Sequence, residues 1–149
     1  MKTKVYKIDP RAVLPTYGTS RSAGLDICAL EDTVIHRPRR PLPQLVRTGL
    51  VIIPPLGFNY LLYPRSSLGK KYPGIVLSNS VGVIDEDYTG IEDELLISLL
   101  NLSDDTYCIK AGAKIAQLVL RKNYRADVEE ISYEHMEKRG NRGGFGSTG

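Results

Sequence analysis

The chain has 149 residues, an apolar content of 42% and a formal net charge of +3. This size fits one domain with a proper hydrophobic core. The small excess of positive charge does not imply nucleic-acid binding, because it would equally suit the binding of a small anion. No run of 18 apolar residues and no secretory signal pattern is present, so we expect an intracellular protein, cytoplasmic or nuclear, with no membrane segment. Cys28 and Cys108 lie far apart among apolar neighbours, and we expect both to be core thiols in a reducing compartment.

Strand-like runs dominate the chain. Five short runs are rich in β-branched residues, Leu or Tyr and are bounded by Gly, Pro, Asn or Asp: 46–53, 58–63, 74–77, 94–102 and 114–121. Only residues 67–71 indicate a short helical turn, which Ser66 or Ser67 would cap. This pattern predicts an all-β sandwich or barrel-like domain over residues 1–138, followed by a glycine-rich arm over residues 139–149.

The first chemically informative segment is 23–27, AGLDI, which places Asp26 in an apolar run just after a glycine. A buried carboxylate bound to backbone is one interpretation, and a carboxylate that orients waters on a metal is the other.

The next segment is 64–71, PRSSLGKK. The guanidinium of Arg65 has a rigid fork that matches phosphate oxygens, and the hydroxyls of Ser66 and Ser67 add donors. A polar loop with a capped helical turn is the alternative.

The segment 82–90, GVIDEDYTG, runs from a short apolar strand into an acidic turn. A β-hairpin here would form a narrow slot with backbone walls, which can recognise the edge of a planar base. Tyr88 would stack on a sugar and exclude an extra hydroxyl, and Asp85 would be a general base at the floor of a partly dry site. The alternative is an acidic turn between two strands.

Two further segments carry polar groups in unusual settings. Gln117 is the lone polar side chain in an apolar strand, where it is either a core amide held by backbone or a ligand contact. The last eight residues, RGGFGSTG, are half glycine. They are either a disordered tail or an arm that closes over a phosphate-bearing ligand, with Phe145 capping a flat ring.

Taken in chain order, these five segments resemble the five motifs of the trimeric deoxyuridine triphosphate nucleotidohydrolases (dUTPases). The resemblance covers residues 23–149. It implies an all-β, jelly-roll-like (β-clip) subunit with a flexible glycine-rich C-terminal arm, and a homotrimer with three sites at its subunit interfaces. It also implies hydrolysis of dUTP to dUMP and pyrophosphate by water attack on the α-phosphate, which limits uracil incorporation into DNA and supplies dUMP for dTMP synthesis.

The resemblance also implies a role for each matching residue. Asp85 would activate the water and Tyr88 would lie under the deoxyribose. Asp26 would bind waters around a Mg²⁺ that the triphosphate itself mainly holds. The remaining substrate-binding residues would be Asn79 with Gly82, Val83 and Ile84 for the uracil, Arg65, Ser66, Ser67 and Gln117 for the phosphates, Phe145 stacked on the uracil, and Gly146, Ser147 and Thr148 of the arm, the last two at the γ-phosphate.

The chain departs from the family pattern in three places. Gly140 stands where the family's arm usually has an arginine, so we expect Arg139 to serve the arm, with Arg142 as the alternative. The stretch 90–101 is longer than usual, which predicts a longer hairpin. Residues 36–45 are rich in Pro and Arg where the family usually has a short turn.

Two other functions stay open at this point. One is a dCTP deaminase, which shares the fold, but Lys70 stands where that family has an arginine and Glu94 is out of register. The other is a catalytically inactive dUTPase-like binding module. No stable nucleic-acid binding is expected.

Overall fold

The structure is a computed structural model, and it describes residues 1–37 and 42–136. This part of the chain contains twelve strands, one short α-helix and one 3₁₀ turn. The strands are β1 (Lys4–Lys7), β2 (Thr16–Tyr17), β3 (Gly24–Cys28), β4 (Thr33–Ile35), β5 (Gln44–Arg47), β6 (Leu50–Ile53), β7 (Phe58–Pro64), β8 (Ile75–Leu77), β9 (Gly82–Ile84), β10 (Leu96–Asn101), β11 (Tyr107–Ile109) and β12 (Lys114–Lys122). The helix α1 spans Leu68–Lys71, and the 3₁₀ turn spans Tyr133–His135.

The strands form four antiparallel sheets around one core. The largest has the order β2-β3-β12-β7-β9, and a three-stranded sheet has the order β5-β10-β8. Strands β1 and β6 pair with each other, as do β4 and β11. Leu118 of the larger sheet and Leu99 of the smaller one are both fully buried in the same cluster. The all-β expectation is therefore confirmed.

Alternation along β12 determines which side chains reach the site. Leu118 faces the core, whereas Gln117 and Val119 on either side of it are only partly buried. Because successive side chains of a strand point to opposite faces, Gln117 and Arg121 share the outer face of the sheet. The outer face of this sheet is where the polar site residues gather.

Most of the predicted runs are strands, with one interruption. The run 46–53 is divided between β5 and β6 by Thr48 and Gly49, and Gly49 has a φ of +69°. The buried Thr48 hydroxyl donates to the Leu95 carbonyl at 2.7 Å, so the turn is fixed from within the core. Strands β1, β2, β3, β4 and β11 lie outside the predicted runs, and β9 is the short apolar strand expected at the start of segment 82–90.

The hairpin expected after residue 82 is wrong. Strand β9 pairs with β7, with Ile84 opposite Tyr60, and the following strand β10 lies in the other large sheet. Residues 85–95 therefore carry the chain from one sheet to the other, and the longer segment 90–101 consists of the second half of this crossover followed by β10, not of an extended hairpin.

The prediction that both cysteines are core thiols holds only for Cys28. Cys28 is buried and Cys108 is exposed. In β11 the side chain of Ile109 is fully buried, so the neighbouring Cys108 points to the opposite face. Among the helices of residues 1–37 and 42–136, none is long and apolar enough to cross a membrane.

Candidate active site

A cavity of about 230 Å³ lies at the end of β9, and we call it the base slot. It brings together six of the residues predicted to form the site: Asn79, Gly82, Val83, Ile84, Asp85 and Tyr88. Leu62, Glu94, Leu95 and Leu96 complete its lining. The slot therefore combines strand backbone with one aromatic ring and a free carboxylate.

Local backbone geometry explains why the slot forms here. Ser80 has a φ of +60°, and the Val81 amide donates to the Asn79 carbonyl at 2.6 Å, so the chain turns sharply into β9. A Cβ at Gly82 would lie only 3.0 Å from Leu62 Cβ on β7. Glycine at this position lets β9 approach β7 closely and leaves its backbone as the wall of the slot.

Asp85 is exposed in the single chain, so the expectation of a partly dry floor is wrong for this chain alone. Its carboxylate lies where β9 ends, and it makes no hydrogen bond or ion pair within the described residues. Tyr88 is 43% exposed, and its hydroxyl lies 3.4 Å from the Glu94 carbonyl. Exclusion of water from this carboxylate has to come from outside one chain's described residues.

Two other carboxylates of this loop, Glu94 and Glu86, are structural anchors. Glu94 Oε1 accepts a hydrogen bond from the Gly49 amide at 2.7 Å, and Oε2 lies 3.1 Å from Arg47 Nε. Glu86 Oε2 accepts from the Gly57 amide at 2.9 Å. The sequence analysis did not identify these roles, although the glycines that donate are turn residues visible in the sequence. Asp85 is thus the slot's free carboxylate among the described residues.

A second cavity of about 240 Å³, here called the phosphate cavity, lies on the outer face of the same sheet. Its lining includes four predicted residues: Asp26, Arg65, Ser66 and Gln117. Gly18, Ser22, Ala23 and Gly24 supply the rest. Three separate segments of the chain, all singled out in the sequence, therefore meet at one place.

Asp26 is buried and lies between two cations. Its Oδ1 is 2.8 Å from Arg65 Nε, and its Oδ2 is 3.0 Å from Lys114 Nζ. Both contacts are ion pairs. The contact with Lys114 does not have hydrogen-bond geometry, so Oδ2 of Asp26 has no hydrogen-bond partner in the described part of the chain. The contact of Lys114 with Asp26 is not evident from the sequence, because it depends on the pairing of β12 with β3.

Gln117 is held by the backbone and also lines a cavity. Its amide nitrogen donates to the Pro64 carbonyl at 3.1 Å, as a core amide would, while the side chain also lines the phosphate cavity. A side chain on Gly24 would collide with the Gln117 amide oxygen. The glycine of segment 23–27 therefore makes room for this amide.

Ser67 is the residue before α1, but its side chain makes no capping hydrogen bond, so the predicted side-chain cap is not found at Ser67. Its hydroxyl oxygen is buried and has no partner among the described residues. A buried hydroxyl without a partner is costly, so it is a candidate for a contact that one chain does not supply.

The two cavities share no lining residue. Asp26 belongs to β3 and Asp85 follows β9, and these strands are three strand spacings apart, about 14 Å. One chain therefore holds two separate half-sites. The arm residues Arg139, Arg142, Phe145, Gly146, Ser147 and Thr148 lie outside the described residues.

The residues fit only a metal ion that brings ligands with it. Asp26 is the single carboxylate of the phosphate cavity and already faces two cations. Residues 1–37 and 42–136 contain no group of three or more His, Cys, Asp or Glu side chains able to hold a metal. A Mg²⁺ bound mainly by a triphosphate matches this donor set, since Mg²⁺ commonly combines one or two carboxylates with waters and phosphate oxygens.

Comparison with known proteins agrees with this geometry. A family model described as dUTPase matches residues 11–149. The chain is 42% identical over 140 residues to the deoxyuridine 5'-triphosphate nucleotidohydrolase of Wolbachia sp. subsp. Brugia malayi, covering 91% of this chain and 85% of that protein. It is 40% identical to the Hydrogenobaculum sp. protein of the same name, covering 100% of this chain and 99% of that one.

Solved structures give the same result. The crystal structure of dUTPase from Streptococcus mutans superposes with a TM-score of 0.73 at 32% identity, covering 83% of this chain and 98% of that chain. A Staphylococcus bacteriophage 80alpha dUTPase shares the fold with a TM-score of 0.79 at 23% identity, covering 99% and 98%. The match of family model, sequence and fold over nearly the whole length shows that the chain belongs to the dUTPase family.

Proposed function

We propose that this chain hydrolyses dUTP to dUMP and pyrophosphate. The observation that carries the proposal is the pairing of a base slot, whose Asp85 carboxylate has no partner among the described residues, with a separate cavity that presents Arg65, Ser66 and Gln117. Such an enzyme limits uracil incorporation into DNA and supplies dUMP for dTMP synthesis.

The base slot would select the substrate. Asn79 and the backbone of β9 offer donors and acceptors to the edge of uracil, and the narrow slot limits the size of the base. Tyr88 would lie against the deoxyribose, where a ribose 2′-hydroxyl would meet the ring and lose its water without gaining a partner. Selection by this slot covers both base and sugar.

Asp85 would act as the general base. Its carboxylate would orient a water and accept its proton as the water oxygen bonds to the α-phosphorus. The bond from that phosphorus to the bridging oxygen breaks, and pyrophosphate leaves with the electron pair. Glu94, the other carboxylate of the slot, is bound to Gly49 and Arg47 and is not available for this task.

The phosphate cavity would hold the triphosphate. Arg65 contacts Asp26 through Nε, which leaves its terminal nitrogens for phosphate oxygens. Ser66, Gln117 and the buried hydroxyl of Ser67 add hydrogen-bonding groups. Bound Mg²⁺ would supply neutralising charge for the triphosphate, with Asp26 holding its waters. Positioning and charge neutralisation would then provide most of the rate.

We also propose a homotrimer. Because the two half-sites are apart within one chain, a complete site requires the base slot of one chain to face the phosphate cavity of a neighbour, and a third chain's arm would cover them. The same arrangement would shield the exposed Asp85 from bulk water.

We propose a cytoplasmic or nuclear location, where the buried Cys28 thiol stays reduced.

The deaminase alternative is not favoured. A catalytic carboxylate would have to be free, yet Glu94 is 14% exposed and accepts a hydrogen bond from the Gly49 amide. Lys70 is exposed in α1 and does not line the base slot.

In the decisive experiment, the purified protein is incubated with Mg²⁺ and one nucleotide at a time: dUTP, dCTP, UTP or dTTP. Released pyrophosphate and released ammonia are both measured. We expect pyrophosphate from dUTP and no ammonia from dCTP. The Asp85→Asn variant should keep dUTP binding and lose about 10²- to 10⁴-fold in rate. Light scattering should give three times the 16.5 kDa chain mass. Ammonia release from dCTP, or an active monomer, would contradict the proposal.

A further inference from the structure

A third cavity, of about 300 Å³, lies beside Asp85 and is distinct from both half-sites. Its lining is Asn59, Asp85, Arg121, Lys122, Asn123, Tyr124 and Arg125. Asp85 is the one residue that it shares with the base slot, and it shares none with the phosphate cavity. The proposed reaction uses none of its cations.

Strand register places part of this lining in a single row. Arg121 of β12 is opposite Asn59 of β7. Tyr60 of β7 is opposite Ile84 of β9, and extending that register by one residue places Asn59 beside Asp85. Paired positions of neighbouring strands present their side chains on the same face. Arg121, Asn59 and Asp85 therefore follow one another across three strands.

The charges of the cavity favour an anion. Three cations oppose the carboxylate of Asp85, and none of the three has an acidic partner at ion-pair distance within residues 1–37 and 42–136. Lys122 lies 5.6 Å from the centre of the exposed Tyr124 ring, a weak contact that does not neutralise its ammonium group. Arginine side chains match phosphate oxygens with a planar pair of donors.

Asn59 supplies an independent observation. Its Oδ1 is buried and has no hydrogen-bond partner in the described part of the chain. An oxygen that is hidden from solvent does not face the open cavity, so the side-chain atom that Asn59 presents there is the Nδ2 donor, which has no acceptor among the described residues. The cavity therefore suits an anion, to which this amide would donate.

We propose that this cavity is a second anion site that binds free pyrophosphate, the product of the proposed hydrolysis. The inference rests on the proposed function for the identity of the anion, but the site itself is defined by Arg121, Arg125 and Asn59. Pyrophosphate bound there lies beside the carboxylate that takes the proton. Because the base slot and the phosphate cavity stay open to dUTP, excess substrate does not displace this pyrophosphate.

The test is calorimetric titration of the full-length protein with pyrophosphate, in the presence of saturating imido analogue of dUTP. We expect one pyrophosphate per chain, with binding weakened about tenfold or more in the Arg121→Gln/Arg125→Gln double variant, because two charge-assisted contacts are lost. The matched control is Lys2→Gln/Lys4→Gln, which removes the same charge from exposed positions and should bind as the parent does. Without added pyrophosphate, turnover of dUTP by the double variant should stay within about twofold of the parent.

Three outcomes would overturn the proposal: no binding to the analogue-saturated protein, equal binding by both double variants, or a second analogue molecule per chain that the Arg121→Gln/Arg125→Gln variant loses. The last would show that the anion belongs to a nucleotide and is not free pyrophosphate. Circular dichroism and light scattering of each variant separate a lost site from a lost fold. If the parent does not release pyrophosphate from dUTP, the proposed function fails independently of this result.

Discussion

Arg65 Nε lies 2.8 Å from Asp26 Oδ1, and this ion pair joins the loop before α1 to the middle of β3. Lys114 Nζ approaches the other oxygen of the same carboxylate at 3.0 Å. Asp26 therefore holds three chain segments together before any ligand binds. Its proposed role toward Mg²⁺ has to be separated experimentally from this structural role.

We predict that Asp26→Asn destabilises the protein and also weakens dUTP use. Removing the buried carboxylate leaves Arg65 and Lys114 facing each other without a counter-charge, at a cost of about 1–3 kcal/mol in the free energy of unfolding. Urea unfolding measures the first effect and the Mg²⁺ dependence of kcat/KM measures the second. Asp32→Asn is the control, because it removes the exposed ion pair with Lys110 and should cost much less. An unchanged unfolding free energy for Asp26→Asn would contradict the structural role.

Tyr88 tests the sugar selection. We expect UTP to be a very poor substrate of the parent, because its 2′-hydroxyl would meet the ring and find no partner. Tyr88 is 43% exposed and its hydroxyl makes only a long contact with the Glu94 carbonyl. Tyr88→Ala should therefore lower kcat/KM for dUTP while changing the free energy of unfolding little. The ratio of kcat/KM for dUTP and UTP is the measurement. Similar values for the two nucleotides in the parent would exclude the steric argument.

The sequence predicts the site better than it predicts the topology. Asn79, Gly82 and Asp85 are close in sequence, so local turn geometry alone places them in one slot. The same reasoning expects a hairpin after β9, which is wrong because the partner of a strand depends on contacts distant in the chain. Short strands such as β2, with two residues, carry too little pattern to be recognised.

Long-range pairing also explains two contacts near the site that are not evident from the sequence. Lys114 reaches Asp26 only because β12 pairs with β3, and Glu94 reaches the Gly49 amide across 45 positions of the chain. Neither contact can be recognised from the residues next to it in the sequence. The expectation that Asp85 is shielded from water is wrong for the single chain for a related reason. The described residues of one chain place no group over this carboxylate that could exclude water.

The two cysteines should differ sharply in reactivity. Burial raises the pKa of the Cys28 thiol, so the reactive thiolate is scarce and shielded, whereas Cys108 is exposed. We predict that an aromatic disulfide reagent labels one thiol per chain in the native protein and two in denaturant. Cys108→Ser should remove the native signal, and Cys28→Ser should leave it. Two rapidly labelled thiols in the native protein would contradict the burial of Cys28.

The C-terminal arm offers a test of the shared site. We predict that deleting residues 140–149 leaves the trimer and its Tm nearly unchanged while kcat collapses, because the arm would contribute Phe145 and hydroxyls to the bound nucleotide and nothing to the core. Arg139→Ala and Arg142→Ala, compared side by side, show which arginine contacts the γ-phosphate. Light scattering, thermal unfolding and steady-state kinetics are the measurements. Full activity of the truncated protein, or its failure to fold, would exclude the arm as a cover for the site.

Glu94 should prove to be an anchor and not a catalytic group. Its carboxylate accepts from the buried Gly49 amide at 2.7 Å and contacts Arg47 at 3.1 Å, so it fixes the turn between β5 and β6 against the strand that follows the base slot. Glu94→Gln keeps an acceptor for the amide, whereas Glu94→Ala leaves that buried donor without a partner.

We therefore expect Glu94→Ala to lower the free energy of unfolding by about 1–3 kcal/mol, and Glu94→Gln to lower it by less. Because Glu94 also lines the base slot, both variants should raise KM for dUTP more than they lower kcat. Arg47→Gln is the matched control, since it removes the ion pair and keeps the hydrogen bond to Gly49. Urea unfolding and steady-state kinetics distinguish the roles: a Glu94→Gln variant of parental stability that has lost turnover would make Glu94 a catalytic residue and reopen the deaminase interpretation.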